Sequence, residues 1–304
     1  MRGSRRSRAP LPLAALLLLA ALVLAWVAMD GRGQPASPSD SGLHLAVLDV
    51  GQGDAIFVRS PAGKTMLVDA GNARVDVEKV VIPHRKTHGV SALDYLVLTH
   101  PHQDHVGGMP AVLDSVAVAT FVDSAQPGET NQAYLHSLQR VRDKAIKAVK
   151  ARRGSTEIDL GPGTRVEVLG PEEPLLSAGD SPTNDNSVVL RITHGSISAL
   201  LTGDIQATAE ERLLAHRGDL RSQVLKVAHH GSQGSTTTQF LDAVRPEVAL
   251  ISVGADNPYD HPHRQLLQRL ERRQVRIYRT DGNGTIQVST DGQGYRVEVE
   301  RQGG

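Results

Sequence analysis

Apolar residues divide the chain into a continuous N-terminal run, a short polar segment and a long body with alternating patterns. Residues 11–29 are apolar throughout and follow the segment MRGSRRSRAP, which contains four arginines. A run of this length lies at the lower end of what crosses a bilayer as a helix. Residues 1–29 therefore predict an uncleaved signal anchor or, alternatively, a signal peptide, although AWVAMD is a poor cleavage site.

The basic residues before this run predict how it is oriented. Arginines that precede an apolar span keep the N-terminus in the cytoplasm, so we expect the rest of the chain outside the cytoplasmic membrane. The protein would be a single-pass cell-membrane protein, or a secreted one if the segment is cleaved. Residues 30–42 are rich in Pro, Gly and Ser and predict a flexible linker, so we expect the folded domain at 43–304.

Within the body, short segments rich in branched apolar residues alternate with segments of helical periodicity. Strands are predicted at 43–50, 55–60, 65–71, 92–100, 118–124, 156–160, 164–170, 187–193, 197–204, 223–230, 247–254, 274–280, 284–290 and 295–300. Helices are predicted at 106–116, 131–154, 206–216, 236–244 and 263–273, with a short one inside 76–89. Because both halves contain clusters of strands with helices between them, we expect an α/β (α+β) fold of two sheets with helices outside.

Composition narrows the possible chemistry. The chain has no cysteine, which excludes disulfides, thiolate metal ligands and a cysteine nucleophile. The formal net charge is zero, but without residues 1–30 the remainder has 29 basic and 32 acidic side chains, a net charge of −3. The body is thus not a globally basic nucleic-acid binder. Neither GxGxxG nor a P-loop occurs, so no nucleotide cofactor is expected.

The densest group of ionisable residues lies in LTHPHQDHVGGM, residues 98–109. It contains His100, His102, Asp104 and His105 directly after a predicted strand. Imidazole and carboxylate without thiolate suit Zn²⁺, Mn²⁺ or Fe²⁺. Four such groups in six residues would crowd one ion, so two ions that share the cluster are the easier arrangement. The glycines that follow, 107 and 108, allow close backbone packing.

Further metal ligands are expected at the ends of other predicted strands. Asp204 in LLTGD could bridge two ions, or cap a turn or helix. His229 and His230 in VAHHGS are an adjacent pair of which one is expected to be a ligand, with His230 favoured because it precedes Gly231. A loop without a metal is the alternative for this pair.

Several motifs together resemble a known family. HxHxDHxGG, TGD and HHGS, in this order, are typical of the metallo-β-lactamase fold. VLDVGQGDAIFV, LVDAG, NDNSVVLRI, LLTGD, LKVAHHGS, NPYDHPH and TDGNGTI resemble the metallo-β-lactamase domain of ComEC-type competence (DNA-uptake) proteins. The resemblance covers about residues 43–290. It implies an αββα sandwich of two mixed β-sheets flanked by helices, with the site at one edge between the sheets.

The resemblance also implies roles for individual residues. His100 and His102 would bind one divalent ion, Asp104, His105 and one of His229/His230 a second, and Asp204 would bridge the two. The ions would be Zn²⁺ or Mn²⁺. Asp69 in LVDAG would orient a metal ligand.

Three departures from the family matter. Many members supply another histidine before the TGD strand, where this chain has PTNDNS, so Asn184, Asp185, Asn186 or water would substitute. Many ComEC-type domains have Asp at the position of His102. ComEC-type channels also have many membrane spans, whereas this chain predicts one. It is therefore not expected to form the DNA channel itself, and a separate channel is a possible partner.

The function implied is a binuclear metal-dependent hydrolase, a phosphodiesterase or nuclease that attacks DNA with an activated water. Asp104 would take part in catalysis, and His261 in NPYDHP would donate a proton or contact phosphate. Gln52, Asp54 and Ser232 are candidates for substrate contact, although Gln52 and Asp54 could be simple turn residues. The basic run 140–153 could attract a polyanion or form a solvated face. Alternatives are hydrolysis of a lactone, β-lactam or envelope choline-phosphate ester, and a non-catalytic metal-binding module.

Overall fold

A computed structural model describes residues 42–216 and 218–302 of the chain. The predicted signal anchor at 1–29, and all of the predicted linker except Gly42, lie outside the described residues. In the part that is described, no helix combines the length and the apolar character that a membrane span requires. The first strand, β1, begins at Leu43.

Eight strands form the first sheet, in the order β15-β14-β1-β2-β3-β4-β5-β6. Their bounds are Leu43–Val47 (β1), Ile56–Arg59 (β2), Thr65–Val68 (β3), Ala92–Leu98 (β4), Ala117–Asp123 (β5), Lys147–Lys150 (β6), Ile286–Thr290 (β14) and Tyr295–Val299 (β15). The pairs from β3 to β6 are parallel, and the others are antiparallel.

Seven strands form the second sheet, in the order β13-β12-β11-β10-β9-β8-β7. Their bounds are Glu157–Asp159 (β7), Thr164–Gly170 (β8), Val189–His194 (β9), Ile197–Leu201 (β10), Val224–Lys226 (β11), Val248–Ile251 (β12) and Arg276–Arg279 (β13). The strands β10 to β13 are parallel. Both sheets are therefore mixed, as predicted.

The helices connect and cover these sheets. Their bounds are Arg74–Asp76 (α1), Ile82–Thr87 (α2), Gln103–Val106 (α3), Met109–Ser115 (α4), Gln132–Asp143 (α5), Pro182–Asp185 (α6), Ala207–Ala215 (α7), Thr238–Val244 (α8), Arg264–Glu271 (α9) and Thr280–Asn283 (α10). A π-helical segment, Val77–Val81, joins α1 to α2, and a 3₁₀ turn occupies Ala228–Gly231.

The core consists of three apolar layers. The middle layer contains residues of both sheets, for example Val47 and Val97 from the first and Leu201 and Val248 from the second. The two outer layers lie under the helices of each sheet. Strand alternation produces this division, because neighbouring side chains point to opposite faces. The sheets and helices confirm the predicted metallo-β-lactamase architecture.

The longest predicted helix, 131–154, is wrong in its second half. The helix α5 ends at Asp143, and Ala145 adopts a left-handed φ of 51°. The chain then forms β6, which pairs in parallel with β5. The helical periodicity continues past the turn, but pairing along a free sheet edge satisfies the backbone and overrides it. Leu135 and Leu138, two of the apolar positions that produce this helical spacing, are exposed at 41% and 36%.

This exposure predicts unequal costs for one substitution made on two neighbouring helices. Leu113 on α4 is fully buried, so Leu113→Ala should lower the free energy of unfolding by about 2–5 kcal/mol through the lost contacts and the cavity. The matched change Leu138→Ala on α5 should cost less than about 1 kcal/mol. Urea titrations of both variants measure the difference, and equal losses would contradict the placement of α5.

Candidate metal centre

The predicted ligands follow strands whose carboxyl ends meet at one edge of the molecule. Asp69 follows β3, and His100 follows β4, which pairs with β3 in parallel. Asp204 follows β10, and His230 follows β11, which is parallel to β10 in the other sheet. The carboxyl ends of parallel strands are where α/β folds place ligands, because the loops that leave them diverge around a crevice.

Four of the predicted ligands have their ligand atoms close together. Asp104, His105, Asp204 and His230 each offer one atom within 4.8 Å of the others. The carboxylate of Asp204 is central: its Oδ2 atom lies 3.3 Å from His105 Nε2 and 3.5 Å from His230 Nε2. Asp104 Oδ2 lies 3.1 Å from His230 Nε2. A divalent ion fits this set of nitrogen and oxygen donors.

His100 lies close to the same carboxylate, and His102 lies beside His100. The Nε2 atom of His100 is 3.8 Å from Asp204 Oδ2, and the His100 and His102 rings are 4.7 Å apart. Within the described part of the chain, the buried Nε2 atoms of His100, His105 and His230 have no hydrogen-bond partner. Asp204 Oδ1 has none either. Buried polar atoms are rarely left unpaired, so this set of nitrogen and oxygen atoms fits a bound cation.

The structure distinguishes the two adjacent histidines. His230 is buried, and its Nδ1 lies 2.9 Å from the carbonyl oxygen of Ser252, which leaves Nε2 facing the carboxylates. The side chain of His229 is 27% exposed, and its Nε2 is 3.9 Å from Asp204 Oδ2. Both residues have left-handed φ values, 50° and 51°, which non-glycine residues adopt at a cost. The geometry groups His230, rather than His229, with the other ligands.

The carboxylate of Asp69 makes the contact predicted for it. Its Oδ2 atom lies 2.7 Å from His105 Nδ1 and accepts a hydrogen bond from the Thr99 hydroxyl, also at 2.7 Å. Its Oδ1 atom accepts from the Thr99 N–H at 2.8 Å. These bonds fix the ring of His105 so that Nε2 faces Asp204.

Among the three candidates in PTNDNS, only Asn184 keeps a free oxygen. The side chain of Asn186 bonds the backbone of Leu176 and Pro182, and Asp185 Oδ1 accepts from the N–H of Gln206. Asn184 is buried, and its Oδ1 has no hydrogen-bond partner among the described residues. Asn186 and Asp185 are thus engaged by backbone groups, whereas the Asn184 oxygen is not.

Two glycines permit the close packing of the ligand loops. A Cβ atom on Gly107 would lie 1.8 Å from the carbonyl oxygen of Asn72, so the chain after His105 can only pass there as glycine. Gly203, before Asp204, has a φ of 51°, and a Cβ atom there would be 2.9 Å from Ser187 Cβ. The hydroxyl of Ser187 in turn accepts the N–H of Asp204 at 3.2 Å.

The position predicted for Asp54 at the cleft mouth is wrong. Asp54 is 1% exposed, and its carboxylate forms an ion pair of 2.8 Å with Lys226, which is fully buried at the end of β11. Asp54 Oδ1 lies 3.6 Å from His230 Nδ1, and the Asp54 N–H donates to the carbonyl oxygen of Asp104. The pair therefore supports the ligands from behind. The sequence contains one signal of it, a lysine in the otherwise apolar run VLKVA.

The remaining candidates lie around the opening. His261 is 9% exposed, and its ring centroid is 5.5 Å from that of His229. Gln52 is half-buried and accepts the N–H of Gly254 through Oε1 at 3.2 Å. Ser232 is half-buried, and its hydroxyl accepts the N–H of Gly234. These positions are compatible with contact to a substrate.

The electrostatics of the centre favour positive charge. Burial lowers the pKa of His230, but the charge of Asp204 and the Asp104 carboxylate 3.1 Å from Nε2 raise it to about 10. Burial also opposes a charge on His105, yet Asp204, Asp104 and Asp69 raise its pKa well above the usual value. The pKa of His100 is lowered by burial and then by His105. The nearby carboxylates thus favour the positively charged form of His105 and His230.

The buried Lys226–Asp54 pair predicts a large loss of stability when one partner is removed. Lys226→Met leaves the carboxylate of Asp54 buried without a counter-charge, so the free energy of unfolding should fall by about 3–5 kcal/mol. The control Lys64→Met breaks an exposed pair with Asp94 of the same 2.8 Å length and should leave the free energy of unfolding almost unchanged. Urea titrations compare them. Adding Asp54→Asn to Lys226→Met should recover part of the loss, and a double variant no more stable than Lys226→Met would argue against the pair.

Comparisons with known proteins agree with this geometry. Residues 48–255 match the family described as the metallo-beta-lactamase superfamily. ComE operon protein 3 of Bacillus subtilis (strain 168) is 33% identical over 263 residues, which cover 80% of this chain and 32% of the relative. Competence protein ComA of Neisseria gonorrhoeae is 30% identical over 304 residues, 95% of this chain and 40% of the relative. The chain thus spans about a third of the length of these curated relatives.

A solved structure shows the same fold. The CmlA beta-hydroxylase E377D mutant superposes with a TM-score of 0.51 at 15% identity, over 93% of this chain and 60% of that one. At this identity the likeness concerns the fold alone. The resemblance to ComEC-type competence proteins is confirmed by the relatives, and the family match covers more than half of the chain. The chain belongs to the metallo-β-lactamase superfamily, with the candidate ligands of a metallohydrolase at the edge between its sheets.

Proposed function

We propose that the chain is a binuclear phosphodiesterase that cleaves DNA outside the cytoplasmic membrane. The observation that carries this proposal is the position of Asp204, a buried carboxylate whose Oδ2 atom lies within 3.8 Å of the Nε2 atoms of His100, His105 and His230. A carboxylate so placed suits two cations at once. The names of two relatives, a ComE operon protein and a competence protein, support DNA as the substrate.

The chain's own residues suggest how the two ions would be held. His100, His102 and Asn184 would bind one ion, Asp104, His105 and His230 the other, and Asp204 would contact both. When bound, such ions lower the pKa of a water molecule and stabilise negative charge on the attacked phosphate. Asp69 keeps the His105 ring in place, and the Lys226–Asp54 pair supports His230 and the backbone of Asp104.

His261 is the residue best placed to contact the phosphate from outside the ligand set. Burial and the neighbouring His229 lower its pKa to about 4, so its ring is neutral at neutral pH. Its buried Nδ1 atom has no hydrogen-bond partner within the described residues. A neutral imidazole is a hydrogen-bond donor through one nitrogen, which favours a phosphate contact over proton donation.

The charge of the body supports an alternative substrate. Residues beyond position 30 carry a net charge of −3, which does not attract a polyanion. A hydrolase of a lactone, a β-lactam or an envelope choline-phosphate ester would use the same centre. The proposal includes a location outside the membrane, which the pattern of residues 1–29 favours whether this segment is an anchor or is cleaved. It also includes a separate DNA-uptake channel as a partner.

Metal content tests the central role of Asp204. Asp204→Asn removes the negative charge but preserves the shape, so bound metal should fall from about two ions per chain to one or none. The exposed Asp143→Asn serves as the control and should retain its metal. Elemental analysis after dialysis measures both, with circular dichroism to verify folding. Unchanged metal content in Asp204→Asn would remove this residue from the centre.

Cleavage of labelled DNA tests the activity itself. The full chain in detergent, loaded with Mn²⁺ or Zn²⁺, should degrade end-labelled DNA, and Asp204→Asn should be slower by at least about a hundredfold. A chelator should abolish the reaction, and metal should restore it. Intact DNA in the presence of a fully metal-loaded protein would reject the nuclease and direct the search to phosphate esters and lactams of the envelope.

A further inference from the structure

Tyr259 is the one aromatic side chain that the described residues leave exposed. Its relative exposure is 58%, whereas the three phenylalanines and Tyr134 are buried and the other tyrosines are half-buried. The chain contains only 3% aromatic residues, so such a ring in solvent is unusual here. Tyrosine presents a large flat surface with few rotatable bonds, which suits it to contact planar ligands.

The loop around Tyr259 is fixed by the side chain of Asn257. Its Oδ1 atom accepts the N–H groups of Tyr259 at 3.2 Å and His261 at 3.0 Å. Its Nδ2 atom donates to the carbonyl oxygens of His261 at 2.7 Å and Gly254 at 3.0 Å. The backbone is thus held without the help of the tyrosine ring. A ring on a fixed loop loses little entropy when it binds a ligand.

A row of rings connects Tyr259 to the candidate metal centre. The rings of Tyr259 and His261 are stacked, with centroids 5.7 Å apart and planes inclined by 29°. His261 meets His229 edge to face at 5.5 Å, and His229 Nε2 is 3.9 Å from Asp204 Oδ2. A strand with a base on the outer face of Tyr259 would therefore run past His261 and His229 to the centre.

Several basic residues are engaged by carboxylates of this chain. In the run 140–153, Arg140 pairs with Asp114 at 2.7 Å, and Arg152 and Lys150 both pair with Glu173, at 2.6 and 3.0 Å. Lys226 is buried against Asp54. Affinity for DNA therefore has to come from contacts other than these cations, and stacking is independent of base sequence because every base has a flat face.

We propose that Tyr259, backed by His261, stacks on an unpaired nucleobase beside the scissile phosphodiester. This inference rests on the proposed function and names its substrate class, single-stranded DNA. A base within a duplex is already covered on both faces by its neighbours, so it offers no free face to the tyrosine ring. The stacked base positions the adjacent phosphate at the centre and makes Tyr259 a determinant of substrate specificity.

The test compares two oligonucleotides on three proteins. The metal-loaded full chain, Tyr259→Ala and Tyr259→Phe each cleave a single-stranded oligothymidine and an oligomer of equal length in which abasic residues flank one central phosphodiester. In the native protein the KM for the abasic oligomer should be about tenfold higher than for oligothymidine. Tyr259→Ala should close this gap, and Tyr259→Phe should preserve it, because stacking needs the ring and not the hydroxyl. Metal content and circular dichroism show that the variants are folded.

Each outcome separates the inference from the proposed function. If the native protein cleaves neither oligomer, the proposed nuclease fails and the inference fails with it. If it cleaves both and Tyr259→Ala leaves the gap in KM unchanged, the nuclease stands and the stacking role is overturned. Equal or better cleavage of a duplex by the native protein would likewise overturn the preference for unpaired bases.

Discussion

The structure depends on how four carboxylates are accommodated at one buried edge. Asp54, Asp69 and Asp204 are at most 2% exposed, and the side chain of Asp104 is 26% exposed. Burying this much negative charge is costly unless positive groups lie beside it. Lys226 supplies one fixed cation to Asp54. The other three carboxylates face imidazole rings. An imidazole balances a carboxylate only when it is protonated or when both groups bind the same cation. The high pKa of His230 and the low pKa of Asp204 express this same demand.

The two sheets provide these groups from the ends of several different strands. The first sheet supplies Asp69 and the histidine cluster, and the second supplies Asp204 and His230. Neither sheet alone contains a complete ligand set. Lys226 shares the inward face of β11 with Val224, two positions earlier, so the middle apolar layer contains a cation at its edge. The candidate ligand set is therefore complete only when the two sheets are packed against each other.

Sequence alone predicted what is local and missed what depends on distant partners. The cluster His100 to His105 and the strands before it are contiguous, and the ends of parallel strands must meet, so the centre was predictable. The Lys226–Asp54 pair was not, because its members are far apart in the chain and one looked like a turn residue. The choice between His229 and His230 depends on the contact of His230 with the carbonyl oxygen of Ser252. The end of α5 depends on the pairing of β6 with the free edge of β5. Both are tertiary contacts that periodicity does not encode.

The same charge balance bears on how an anionic substrate reaches the centre. Surface cations that periodicity placed on one helical face are instead engaged with Asp114 and Glu173, and the body is net negative. Long-range attraction of DNA is therefore weak, and salt should affect binding less than in a basic nucleic-acid-binding domain. In the proposed nuclease, affinity would then be generated at short range, by metal held at the candidate centre and by contacts such as the ring of Tyr259. A site that recognises its substrate only at short range discriminates by the shape and flexibility of the strand rather than by its total charge.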